Sequence, residues 1–211
     1  MTATASRGTE SAADARPARP PSGSGPTLVL VAQGAGDGTC MRRLGRWLEP
    51  YFSVRVLSCR RCSVGDDGEY ALEHAFSGLA ATLDAIDGPV DVFAHAFGAT
   101  LVLGAMPLTH NLRRAVLYEA GAGVGVQRTI ALERRAEERW TFGPDSYRSL
   151  VPTLLLVGTD SPPRAHQATE IARSALPNSR VGLLRGQAQS ALSTAPELLG
   201  RHIARFTAPQ S

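Results

Sequence analysis

Between Val90 and Met106 the sequence reads VDVFAHAFGATLVLGAM, and no other stretch limits the possible folds so severely. Val90, Val92 and Phe93 are β-branched or aromatic, as strands prefer. The run stops at Ala94-His95-Ala96-Phe97-Gly98, and Ala, Leu and Val then continue at helical density to about Met106. A strand that passes into a helix with almost no loop needs small residues at the junction, because the two backbones approach closely. Ala94 and Gly98 flank the central Ala96 and meet that need. A helix this apolar has no face for water and must be covered on every side. The chain therefore has to build layers around a central sheet.

The other segments agree with that demand. Thr27–Ala32 (TLVLVA) is a continuous apolar run, the pattern of a strand buried on both faces, and it ends in the glycine-rich turn Gln33-Gly34-Ala35-Gly36-Asp37-Gly38. Helical spacing predicts a helix over Met41–Tyr51, with Pro50 near its end, and a second strand over Ser53–Leu57. A third apolar stripe (Leu72, Phe76, Leu79, Leu83, Ile86) predicts a helix over Glu69–Ile86, broken by Gly88-Pro89. Further strands are expected at Arg114–Tyr118, Val151–Val157 and Arg180–Leu184, and helices at Arg164–Leu176 and Pro196–Phe206. Strands alternating with helices predict an α/β, doubly wound, mostly parallel sheet of about six strands. In such a sheet the functional residues are those that immediately follow the strands. Residues 1–26 are rich in Ala, Ser, Pro and Gly without apolar periodicity and are expected to form a disordered tail, leaving one domain over 27–211.

Composition removes several function classes. All 22 basic residues are arginine, and without lysine neither a Schiff base nor lysine-anchored pyridoxal phosphate is available. The arginines are scattered and not interleaved with aromatic residues, which argues against nucleic acid as a partner. No window holds 18 consecutive apolar residues, so no membrane span is expected, and the N-terminus lacks the apolar core of a signal peptide. Three cysteines (Cys40, Cys59, Cys62) are too few for a disulfide framework, and a cytoplasmic location is the default expectation. Cys59-Arg60-Arg61-Cys62 follows a strand but does not start a helix, as redox pairs require, and it lacks the further ligands of structural zinc. No metal or cofactor is expected.

The segments LVAQGAGDG, VDVFAHAFGATLVLGA, AVLYEAG, VPTLLLVGTDSPP and LLRGQAQSALSTAPELL together resemble the α/β-hydrolases, and more closely the bacterial hydrolases similar to haloperoxidases and lactone esterases. The resemblance covers most of Thr27–Phe206 in the family's order. It implies that Val90–Met106 is the nucleophile elbow, whose usual form is Gly-x-Ser-x-Gly. The nucleophile position is then Ala96, the acid position Asp160 with Glu119 as the alternative, and the base position Gln189. The oxyanion hole would use the backbone N–H groups of Ala35 and Phe97, within a pocket also bordered by Gln33, Gly34 and His95. A methyl group cannot attack a carbonyl, and an amide cannot take a proton near neutral pH, so two of three triad members are degenerate.

The remaining candidates have plainer accounts. His95 should point away from the pocket, His74 and His202 fall on helices, His166 sits in a first helical turn, and Ser190 has no evident base. The cap that relatives insert between the fourth and fifth strands is reduced to a glycine-rich stretch and one charged helix over about Gln127–Trp140. The expectation is an α/β-hydrolase fold lacking most of the cap domain. Its partner would be a small-molecule ligand, held for binding or for a cyclase-, lyase- or isomerase-type reaction in bacterial secondary metabolism. The rival readings are a pseudoenzyme acting through a protein partner, and an esterase with an unrecognised triad.

Overall fold

The computed structural model describes residues 21–32, 37–59, 72–121 and 149–208. Six strands form one sheet: β1 (Thr27–Ala32), β2 (Ser53–Ser58), β3 (Val90–His95), β4 (Leu112–Tyr118), β5 (Thr153–Gly158) and β6 (Ser179–Leu184). Their spatial order is β2-β1-β3-β4-β5-β6, and every pairing is parallel. Among the described residues six helices accompany them: α1 (Asp37–Leu48), α2 (Leu72–Asp84), α3 (Phe97–Ala105), α4 (Pro163–Ala175), α5 (Ala191–Thr194) and α6 (Pro196–Thr207). The order reverses beside β1, where β2 lies to one side and β3 to the other. The carboxyl ends of β1 and β3 therefore flank the switch point where ligands bind in open α/β sheets.

Period-two alternation sorts the strand residues onto two cores. Val29, Val31, Val92, Ala94, Ala115 and Leu117 pack with α2 and α3 on one face. Leu28, Leu30, Phe93, Val116, Tyr118 and Leu156 pack with α1, α5 and α6 on the other. All nine residues of α3 are buried, as the unbroken apolar composition requires. Its Gly104 lies against the Phe76 ring of α2, with no room for a Cβ between them.

Several boundaries differ from the sequence expectation, each for a local reason. The first helix starts at Asp37, four residues before its expected Met41, and stops at Leu48 because Pro50 cannot continue it. The fifth strand begins after Pro152, which has no N–H for the ladder but whose carbonyl accepts from Ala115 N at 3.0 Å. The last helix starts at Pro196, as expected, runs one residue further to Thr207, and is preceded by the separate turn α5. The second helix runs from Leu72 to Asp84, and the expected start at Glu69 lies outside the described residues.

The chain is already paired before β1. Ser22 and Val54 exchange backbone hydrogen bonds of 3.1 and 2.7 Å on the outer side of β2, and the Ser22 hydroxyl donates to Glu49 at 2.6 Å. Residues 21–26, expected in a disordered tail, thus cover the sheet edge that would otherwise present unpaired amides. Residues 1–20 and the expected cap helix over 127–140 lie outside the described residues.

At the amino ends of the strands, Asp91 is fully buried and receives both Nε (2.9 Å) and Nη2 (2.5 Å) of Arg113. The hydrogen bond from Arg113 to Asp91 raises the guanidinium pKa, and partial burial opposes it. This pair staples β3 to β4 far from the strand-end site.

Candidate functional site

Ala96 occupies the turn between β3 and α3 with φ 49° and ψ −121°, a conformation that L-residues avoid. Three backbone bonds hold it there: Ala96 N donates to Tyr118 O at 2.8 Å, and Ala99 N and Thr100 N donate to Ala96 O at 2.9 and 3.2 Å. The side chain is half-buried and carries no group able to attack, donate or accept. The elbow geometry is present and its central atom is a methyl carbon. Phe97 opens α3 and is nearly buried.

Beside it, His95 is buried and stacks on Tyr118 with ring centroids 5.3 Å apart and planes 24° apart. Neither ring nitrogen has a hydrogen-bond partner of good geometry. Burial lowers its pKa to about 4, against an opposing pull from the Gln189 backbone, so the ring is neutral at pH 7. As sequence alternation implies, His95 belongs to the face shared with Tyr118, away from Ala94. The Tyr118 hydroxyl donates to the Ala188 carbonyl, and its pKa is raised by burial and then by the charge of the neighbouring Glu119 and hydrogen bonding with it.

The buried carboxylate of the site is Glu119, the residue after β4. It is 1% exposed and sits at φ 52°. Its Oε1 accepts from the Ser161 hydroxyl and, at 3.5 Å, from Gly158 N. Its Oε2 is buried without a hydrogen-bond partner. Leaving such an oxygen unsatisfied costs about 1–3 kcal/mol, and a left-handed non-glycine backbone adds about 1–3 kcal/mol more. Two costs on one residue mark a position that packing alone does not explain.

Asp160, the expected acid position, lies one residue before Ser161 but is exposed, accepting at 2.9 Å from Thr159 Oγ1. The turn after β5 is locked to the turn after β6: Asp160 N donates to Gln187 O at 2.9 Å, and Gly186 N donates to Thr159 Oγ1 at 2.9 Å. Gly158 permits this, since a Cβ there would collide with the Gln187 carbonyl and the Ser161 hydroxyl. Gln189 follows in the same turn and is half-buried. Its backbone, by its effect on the His95 ring, links this turn to the elbow. Gln33, Gly34 and Ala35, expected to border the pocket, lie outside the described residues.

Sequence reasoning did not single out Ser161 or Tyr118. The only signal for Ser161 was its place between a strand-terminal Gly158 and Pro162, one residue beyond the more conspicuous Asp160. Cys59 is buried immediately after β2, and Cys62 lies outside the described residues. No group of three or more His, Cys, Asp and Glu side chains suited to a metal ion occurs among the described residues. None of the described helices is long and apolar enough to cross a membrane.

A parallel six-stranded sheet with a strained strand-to-helix turn at its switch point defines the class: the chain has the α/β-hydrolase fold. It is similar to an alpha/beta hydrolase from Sphaerobacter thermophilus, with 24% identity, a TM-score of 0.70, and 88% of this chain and 93% of that one covered. It is also similar to a serine hydrolase involved in carbazole degradation (16% identity, TM-score 0.69, covering 88% and 92%). A third likeness is to E-2-(acetamidomethylene)succinate hydrolase (16% identity, TM-score 0.67, covering 90% and 94%). No protein-family model and no curated protein matches the chain.

Proposed function

We propose that this protein binds a small molecule at the carboxyl ends of its strands and does not hydrolyse esters through a Ser-His-acid triad. Ala96 carries the reading. The turn keeps the strained backbone of an elbow, yet the residue presented offers no nucleophile. Gln189 at the base position cannot accept the proton that serine hydrolysis must move. The neutral amide of Gln189, the buried Glu119 carboxylate with its unpartnered oxygen and the amide at Phe97 instead suit recognition by hydrogen bonds. A ligand held by such groups is either simply bound or guided through cyclisation, elimination or isomerisation by orientation. The Glu119 carboxylate is the acid on which this reading rests, in preference to the exposed Asp160.

The test uses wild-type protein and Ala96→Trp in a thermal-shift screen against a panel of metabolites. Ligand-induced stabilisation of the wild type that vanishes in Ala96→Trp, with the unliganded midpoint little changed, is the expected result. Stabilisation that survives the substitution places the binding surface elsewhere and overturns the reading. Restoring serine alone, by Ala96→Ser, is expected to give no hydrolysis, because no base accompanies it.

A further inference from the structure

At the opposite end of the sheet from Ala96, a hollow lies between the edge strand β6 and the last turns of α6. Its volume is about 350 Å³, and it is lined by Leu154, Arg180, His202, Arg205 and Phe206. That volume falls in the range of small-molecule sites, roughly 300–1,000 Å³. Arg180 pairs in register with the buried Leu154, so both side chains leave the same face of the sheet. The Arg180 guanidinium lies over the Phe206 ring, 5.1 Å from its centroid. Arg205 and Phe206 follow His202 by three and four residues, so each neighbours it on the surface of α6. The frame is fixed from beneath, because Arg114 Nη1 donates to the Thr207 and Ala208 carbonyls at 2.7 and 3.0 Å.

Among the described residues the lining has no acidic side chain, in a chain whose 22 basic residues are nearly balanced by 19 acidic ones. Elsewhere that balance is used locally: Arg113 pairs with Asp91 and Arg173 with Glu170. Arg180 and Arg205 have no carboxylate partner among the described residues. Partial burial, and then the neighbouring Arg205 charge, lower the His202 pKa.

The geometry points to this hollow as a binding site for a small organic anion, with a carboxylate received by Arg180 and Arg205 and an apolar body against Phe206 and Leu154. A guanidinium presents a fork of donors that matches a carboxylate. Stacked on Phe206, the Arg180 fork is already partly ordered before a ligand arrives. The site shares no residue with the strand ends and goes beyond the function proposed for them.

The test uses the full-length chain with sodium benzoate as the probe, benzamide as its neutral counterpart and inorganic phosphate as a bare anion. Binding is followed by calorimetry and by amide chemical shifts. Saturable benzoate binding is expected, weakened about tenfold or more in both Arg180→Gln and Arg205→Gln, with benzamide and phosphate each binding far more weakly. Both arginines are exposed, so both variants should fold, with thermal midpoints close to wild type. Ala96→Trp should leave benzoate affinity unchanged, which separates a failure here from a failure of the strand-end reading. Unaltered benzoate affinity in the two arginine variants overturns the proposal. So does benzamide or phosphate binding as tightly as benzoate, or an absence of saturable binding up to about 10 mM.

Discussion

Replacing Ala96 by glycine should make this protein more stable, although glycine usually weakens an ordered segment. At φ 49° and ψ −121° an alanine carries a backbone penalty of about 1–3 kcal/mol that glycine does not. Against this stand two losses. The extra freedom of glycine in the unfolded chain costs about 0.5–1 kcal/mol. Removing a half-buried methyl costs about 0.4 kcal/mol, half the value of a fully buried one. The balance is near 1 kcal/mol in favour of glycine, a rise of about 2–4 °C in thermal midpoint for a chain of this size. Ala94→Gly is the control. Ala94 is fully buried in β3 without a positive φ, so both losses apply with no strain to relieve, and its midpoint should fall by about 3–6 °C. Differential scanning calorimetry on the two variants reads both numbers. A fall for Ala96→Gly as large as that for Ala94→Gly would refute the strained elbow.

Three further outcomes follow from the described contacts. Because the folded pKa of His95 lies near 4, below the ordinary 6.5, the unfolded chain binds a proton that the native state refuses. Stability should therefore be full above about pH 6.5 and fall as pH drops towards 4, by up to about 3 kcal/mol; urea titrations at pH 7, 5.5 and 4.5 should show it, and His95→Leu should flatten the slope. Arg113→Ala strands a fully buried Asp91 carboxylate and should cost about 3 kcal/mol by chemical denaturation. Deleting residues 1–24 removes the Ser22 pairing with Val54 and Glu49 and should lower the thermal midpoint measurably by scanning calorimetry.

The layered fold was legible because burial on both faces leaves a simple trace. Leu28–Ala32 and Val90–Ala94 carry apolar residues at every position but Asp91, and only a sheet covered on both sides uses such runs. Ends were less legible. Asp37-Gly38-Thr39-Cys40 has no apolar stripe, so α1 reads as starting at Met41, although its first turn begins at Asp37. Ser22 carries no periodic signal at all, and its order comes from an edge of β2 that no local pattern reveals. Ala96 could be located in the strand-to-helix turn by position alone. Which carboxylate is buried could not, because Asp160 and Ser161 differ by one residue in a turn whose direction is set by the Gly158–Gln187 approach. Glu119 accepts from Gly158 N and the Ser161 hydroxyl in that turn, and chain order says nothing about those contacts.

The central claim is that a hydrolase elbow here presents no nucleophile. Rapid mixing of excess p-nitrophenyl acetate with a known concentration of the purified chain tests it most directly. The account predicts no burst of p-nitrophenolate, and a steady rate no greater than that of an equal mass of serum albumin. A burst approaching one equivalent per chain would contradict it, and loss of that burst in Ser161→Ala would identify the hydroxyl beside Glu119 as the nucleophile that the elbow lacks.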